Sequence, residues 1–321
     1  MNHPAASSGV SDCCNASLTA MRCGYAPRGG ELYPQRLNRP EPLMFTYQAP
    51  KKLSTEELKS ITGPSIRPEE QIMLDNVARI ESLLLPSELL ALYRLCKLLP
   101  ENAKILEIGS YQGGSTVAIG HAIAGTGNSL YCLDPWRDFL NQEDFVDFDK
   151  SKIKDDFVVF NNFLRNTSFI GENLRVLRGK STDFAELLAG KEFDLIFIDG
   201  AHDYMSVRAD IIIAVSAIRA GGIICGHDYH TGGHDVVRAV TELIESVPSI
   251  EIKQVIDQTT IWFCVLENPD YQYVLTDILD LCNAGKLEEA LIKSKQAYSK
   301  YETEELVNFI SAIESVMFQR K

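Results

Sequence analysis

From Lys104 onward, short apolar runs alternate with stretches whose apolar residues recur at helical spacing. Strands are predicted at 104–109 (KILEIG), 129–135 (SLYCLDP), 174–179 (LRVLRG), 193–200 (FDLIFIDG), 221–228 (GGIICGHD), 250–256 (IEIKQVI) and 260–266 (TIWFCVL). Helices fit between them at about 114–124, 156–170, 182–189, 204–219 and 234–246. Strand alternating with helix implies an α/β fold whose parallel sheet is covered on both faces. The last two runs are separated by only Asp257, Gln258 and Thr259. That is too short for a crossover, so they are expected to pair as an antiparallel hairpin.

Outside this core the rhythm differs. Residues 1–52 are rich in Gly, Pro, Ser and Asn without a sustained period, and read as a poorly ordered leader. Residues 53–100 read as helices, with a capping box at Ser54 and Glu57 and apolar residues at helical spacing between Pro86 and Pro100. Residues 101–267 form the core, and 268–321 a C-terminal helical extension that weakly resembles a single tetratricopeptide unit. One such unit more often serves packing or self-association than peptide capture. The segment 136–156 holds seven acidic and four basic residues, long for a βα connection; a cover over the site and a solvated loop are both open readings.

Composition narrows the function. The 321 residues are 45% apolar and 23% charged, with a formal net charge of -13. Such a balance disfavours nucleic acid and anionic lipid as partners, because both require a basic surface. A small-molecule partner fits better. No apolar run reaches the length of about 18 residues needed to span a membrane, and the first 30 residues lack the apolar centre of a signal peptide. Eight cysteines occur without a CxxC, three of them (Cys132, Cys225, Cys264) inside strand-like runs. Reduced, packed thiols and a cytoplasmic location are therefore expected.

Two places carry candidate chemistry. The first is ILEIGSYQGGST, a strand, a glycine turn and a helix start. Gly109, Gly113 and Gly114 would let a ligand approach the backbone, and Ser115 would cap the helix. The spacing is not that of a dinucleotide fingerprint. Glu107 at the first strand's end suits a cofactor bearing an ammonium group, and Asp134 at the second strand's end suits a ribose diol. The ordered pair favours S-adenosylmethionine over NAD. The second place is GGIICGHDYHTGGH (221–234), where four of the six histidines fall between His202 and His234. A metal site, an acid/base site and a polar loop are all compatible with that cluster.

The motifs EIGSYQGGS, LDPW, IDGAHDY, GGIICGHDY and DVVRAV resemble, from about Pro86 to Leu266, the class I S-adenosylmethionine-dependent methyltransferases, in the group of macrocin- and mycinamicin-type sugar O-methyltransferases. The resemblance implies a Rossmann-like, seven-stranded, mostly parallel sheet with a C-terminal antiparallel hairpin. It implies that Glu107, Gly109, Ser110, Gly113, Ser115, Asp134 and Ser181 hold the cofactor, Ser181 beside the adenine.

Methyl transfer from a sulfonium requires a nucleophile, and a hydroxyl keeps its proton far above neutral pH. The enzyme must supply a base, a metal, or both. Asp199 and Asp228 end adjacent strands and would make an oxygen-ligand site for Mg2+. His202, with the ordinary imidazole pKa of about 6.5, would be the base. The resemblance implies the same layout, with one departure: His227 stands where the group has an acid. As a ligand with Asp199 and Asp228, it would suit Mn2+, Fe2+ or Zn2+ better than Mg2+; that it binds no metal is the open alternative. His230 and His234 are expected to serve the loop and a helix cap, Tyr204 packing, Asp210 a helix-face contact, and Tyr229 the acceptor pocket. The reading is an O-methyltransferase acting on a sugar or glycosylated small molecule, with self-association through the terminal helices open. Its rivals are a metal-independent methyltransferase for phenols or nitrogen, an HD-type metal hydrolase, and a non-catalytic partner-binding module.

Overall fold

The computed structural model describes residues 60–319, apart from 62, 138–155, 231, 243–251, 257–258 and 267–268. The leader, the Ser54–Glu57 box and most of the acidic segment 136–156 lie outside the described residues. Contacts divide the chain into two compact units, one running from Pro34 to Tyr273 and the other including Val274–Lys321.

In the larger unit the strands are β1 (Lys104–Ile108), β2 (Ser129–Asp134), β3 (Leu174–Arg178), β4 (Phe193–Ile198), β5 (Ile218–Gly226), β6 (Ile252–Val255) and β7 (Trp262–Leu266). They form one mostly parallel sheet of order β3-β2-β1-β4-β5-β7-β6. β3 through β5 in that order are parallel neighbours. β7 enters between β5 and β6 and runs antiparallel to both, so the predicted hairpin is present. The chain leaves β1 toward β2 on one side and β4 toward β5 on the other. A crevice therefore opens at the carboxyl ends of β1 and β4, where such sheets place ligands.

The helices are α1 (Pro68–Val77), α2 (Pro86–Lys97), α3 (Gly114–Ala122), α4 (Asp156–Thr167), α5 (Ala185–Leu188), α6 (Tyr204–Ala217) and α7 (His234–Val240). Met73 of α1, Leu92 and Leu95 of α2 and Ile119 of α3 share a buried cluster with Ile105, Cys132, Leu195, Phe197 and Cys225 of one sheet face. The alternate residues Leu106, Ile108, Leu133, Ile196 and Ile198 are buried as well. Burial on both faces is why β4 reads as a nearly continuous apolar run rather than an alternating one.

Two boundaries differ from the sequence reading. β5 begins at Ile218, directly after α6, because Ile218 already pairs with Phe193 of β4 across a local irregularity in register. The helix expected over 182–189 is a 3-10 turn at Ser181–Phe184 followed by the single turn of α5. In the smaller unit, α9 (Leu287–Tyr301) and α10 (Glu304–Gln319) follow α8 (Pro269–Asn283), which begins in the larger unit. Lys295 and Glu314 pair between α9 and α10 at 2.7 Å. Among the described residues no helix is long and apolar enough to cross a membrane.

A buried ion pair fixes the segment that leads into α1. Arg94 of α2 meets both carboxylate oxygens of Glu70 at 2.8 and 3.0 Å. Its remaining donors reach the carbonyls of Ile61, Gly63 and Ser65. These bonds, Arg94's first, hold the Glu70 carboxyl down to about 2 against its burial. Replacing Arg94 with Met leaves the Glu70 carboxylate with Arg67 alone and deprives three carbonyls of their donor. It is expected to cost about 3–5 kcal/mol in urea unfolding. Because Glu70's folded pKa lies below its free value, its contribution is complete above pH 4.5. The gap between wild type and Arg94→Met should therefore shrink as pH falls from 4.5 toward 2.

Candidate active site

At the end of β1, Glu107 is fully buried. Its Oε2 accepts from Ser110 Oγ at 2.6 Å, Thr116 Oγ1 at 2.5 Å and Cys132 Sγ at 3.2 Å. Its Oε1 is buried without a hydrogen-bond partner. Burial raises the Glu107 pKa, and hydrogen bonds from Ser110, Ser115 and Thr116 partly oppose it. Ser115 thus does not cap α3: the N-cap is Gly113, without a side-chain bond, and Ser115 sits inside the first turn facing Glu107.

Asp134, at the end of β2, is also buried. It accepts from the backbone N–H groups of Ser110 and Tyr111, both at 2.9 Å, and of Trp136 at 2.7 Å. A carboxylate offers about four lone-pair positions, so most of Asp134 is spent on shaping the two loops beside it. Gly109 answers to packing too. Its φ is +88°, and a Cβ there would stand 2.0 Å from the Asp199 carbonyl oxygen, so this close approach is to β4's extension. At Gly113, φ +91°, a Cβ would meet the Thr167 side chain at 2.9 Å. Ser181 is hydrogen-bonded to Asp210.

The second cluster stands one and two strands away. The ladder continues past the strand ends, with Asp199 N donating to Ile108 O and His227 N to Ile198 O. This places Asp199 and His227 side by side. His227 lies among three carboxylates: Nε2 donates to Glu88 Oε2 at 3.0 Å, and Nδ1 is 3.3 Å from both Asp199 Oδ1 and Asp228 Oδ1. Burial alone would lower its pKa. The Asp199 charge and the bonds to Asp199, Asp228 and Glu88 outweigh burial and push it up to about 12. His202 Nε2 lies 3.0 Å from the other Asp228 oxygen. Burial would raise the Asp228 carboxyl, but His202 and His227 hold it well below the usual carboxylate range.

His227 is therefore not placed as a metal ligand. Both ring nitrogens face carboxylates as donors, and a ligating imidazole must offer a bare lone pair. Among the described residues, the group whose donor atoms all lie within 4.8 Å of one another is Asp199, His202 and Asp228.

Backbone strain marks the same end of the sheet. Tyr111 (φ 45°), Trp136 (φ 43°) and Asp228 (φ 61°) hold left-handed conformations just after β1, β2 and β5. Such conformations cost about 1–3 kcal/mol each and collect at functional sites. Beside Asp228 a cavity of about 610 Å³ is lined by Tyr229, His230, His234, Arg238, Thr241 and Glu242, among others.

Residues 106–229, from β1 to just past β5, match the family model described as a methyltransferase domain. No curated protein matches the chain. Among solved structures, it is similar to the Bacillus cereus O-methyltransferase in complex with S-adenosylhomocysteine, at 20% identity and TM-score 0.43, over 65% of this chain and 96% of that one. It is also similar to the Streptomyces achromogenes O-methyltransferase of tomaymycin synthesis in complex with S-adenosylmethionine, at 13% identity and TM-score 0.44, over 64% and 91%. A methyltransferase of Podospora anserina bound to S-adenosylhomocysteine matches at 14% identity and TM-score 0.46, over 63% and 89%. Likenesses of this degree do not identify a substrate.

The residue that the sequence reading missed is Glu88. It lies in the first turn of α2, where an acid reads as a cap for its own helix, and it does accept from Leu85 N at 2.8 Å. It also accepts from Thr260 N at 3.1 Å and Thr260 Oγ1 at 2.9 Å, besides His227. Thr116 was missed as well; the only signal is a polar pair, Ser115-Thr116, at the start of an otherwise apolar helix.

Asp210 of α6 supplies a test of the site's electrostatics. Burial pushes its carboxyl up to about 7, Ser181's hydrogen bond opposes this and the Asp203 charge adds to it. A folded pKa raised above the free value means stability is lost as pH rises from about 4 through 7. Asp210→Asn keeps an acceptor for Ser181 and removes the charge. It is expected to stabilise the protein by on the order of 2 kcal/mol at pH 8 and much less at pH 4, read by thermal unfolding.

Proposed function

We propose that the chain is an S-adenosylmethionine-dependent O-methyltransferase that activates an acceptor hydroxyl between the ends of β4 and β5. The observation that carries this reading is the Asp199–His202–Asp228 group, next in the sheet to the β1 and β2 ends. The acceptor in this reading is a sugar or glycosylated small molecule, which rests on the resemblance of IDGAHDY and GGIICGHDY to the sugar O-methyltransferases.

S-adenosylmethionine, when bound, supplies a methyl group already activated by the positive sulfur. The residues at the β1 end fit such a cofactor. Glu107 keeps one buried oxygen without a donor, and an unpaired buried acceptor is uncommon unless a further group completes it. In the proposal Glu107, with Ser110 and the glycine turn, receives the ammonium end. Asp134 holds the Ser110 and Tyr111 amides in place and turns its remaining lone pair to the ribose. Ser181 stands on the adenine side.

A divalent cation, when bound, would lower the proton affinity of the acceptor hydroxyl. Asp199 and Asp228 fit one: both are oxygen donors, and Glu88, Asp199 and Asp228 around a protonated His227 leave an excess of two negative charges. Mg2+ suits the two carboxylates, and His202 within the same group adds the option of Mn2+. A histidine cannot ligate and accept a proton on the same nitrogen. We assign the cation to the two carboxylates and the proton to His202, which Asp228 orients at 3.0 Å. Release of the acceptor proton to His202 requires it neutral, so turnover should fall at acid pH.

The test is a pair of measurements on the full chain. S-adenosylhomocysteine should bind in calorimetric titration, to wild type and His202→Ala alike. Labelled methyl transfer to a panel of sugars and glycosides should fall about 10²–10⁴-fold in His202→Ala. Unchanged transfer would remove His202 as the base; transfer surviving a strong chelator would favour the metal-free rival.

A further inference from the structure

Glu88 lies outside residues 106–229, on the helix that precedes the methyltransferase domain, and is 139 positions from the histidine it meets. Its side chain is 2% exposed. Each of its oxygens has a separate task. Oε2 takes the α2 backbone at Leu85 and the His227 ring, and Oε1 takes the Thr260 amide and hydroxyl. Thr260 in turn receives the Asp228 amide on its hydroxyl at 3.3 Å and the Tyr229 amide on its carbonyl at 3.0 Å. One carboxylate thus joins α2, the end of β5 and the residue leading into β7.

Asp228 adopts its left-handed backbone inside this bracket. A strained conformation persists only where its surroundings over-determine it. His230 also reaches Asp228, its amide on the carbonyl at 2.9 Å and its ring 3.8 Å from Oδ1, but the His227 ring, on the side chain, and Thr260, on the amide, both rest on Glu88. Removing Glu88's acceptor leaves His227 able to follow Asp199 and Asp228 without an anchor on the far side.

We infer that Glu88 is a positioning residue of the methyl-transfer site, which through His227 and Thr260 fixes Asp228 and hence the orientation of His202. This rests on the function proposed above. It makes α2 part of the catalytic apparatus rather than a cover on the sheet. Glu88 itself does not touch His202 in any bond described here, which gives the idea a readout that loss of stability alone would not move.

The experiment is histidine-selective NMR of the full chain, with four proteins compared: wild type, Glu88→Gln, His227→Gln and the double variant. The ring signals of His202 should shift by more than a linewidth in Glu88→Gln. They should shift in His227→Gln as well, and the double variant should shift by less than the sum of the two, because one of the two paths from Glu88 is then already cut. His202 signals that match wild type in Glu88→Gln, or shifts that simply add in the double variant, would overturn the inference. Should Glu88→Gln fail to fold, Glu88→Asp withdraws the carboxylate by one methylene and is read the same way. Titration with S-adenosylhomocysteine runs beside it. Failure of wild type to bind would count against the methyltransferase proposal, while the His202 signals still decide the role of Glu88.

Discussion

His227 stands between carboxylates from three separate stretches of chain, and the site depends on that contact. Carboxylates gathered around one point repel one another unless a cation stands among them. The His227 ring supplies it, with both nitrogens within 3.3 Å of carboxylate oxygens. The histidine that follows β5 is thus matched by an acid from α2. The imidazole that first suggested a softer metal is part of the frame that holds Asp199 and Asp228.

The β1 and β2 ends work by the same economy. Asp134 spends its hydrogen bonds on the Ser110, Tyr111 and Trp136 amides, and in doing so stabilises two residues, Tyr111 and Trp136, that hold left-handed backbone. Glu107 collects the small donors Ser110, Thr116 and Cys132 on one oxygen and leaves the other without a donor. Polar groups inside the sheet's edge are thus first scaffolding for the loops, and only their remaining valences face outward.

Much of this was legible in the chain. Burial on both faces writes β1, β2, β4 and β5 as apolar runs, and the residues that directly follow the strands, Gly109, Pro135, Asp199 and His227, stand at the sheet's carboxyl edge. Short-range pattern also sufficed for the hairpin, since only three residues separate the two apolar runs at 250–256 and 260–266 and leave no other pairing. What stayed hidden depends on contacts between distant stretches. Glu88 looks like a capping acid and is one, and nothing near Pro86 announces a partner at position 227. Ser115 looked like a cap because residue type was visible and φ was not: Gly113 takes the cap at φ 91°. Gly109 was taken for a ligand's clearance, whereas its missing Cβ makes room for the Asp199 carbonyl.

In the proposed function the cofactor lies at the β1 and β2 ends, beside the carboxylates that follow β4 and β5. Amide hydrogen exchange of the full chain with and without S-adenosylhomocysteine tests that placement most directly. Protection is expected at Gly109–Ser115 and at Asp134–Trp136, with none in the helices from Leu287 to Gln319. Unchanged exchange in both loops at saturating ligand, or protection centred elsewhere, would contradict it.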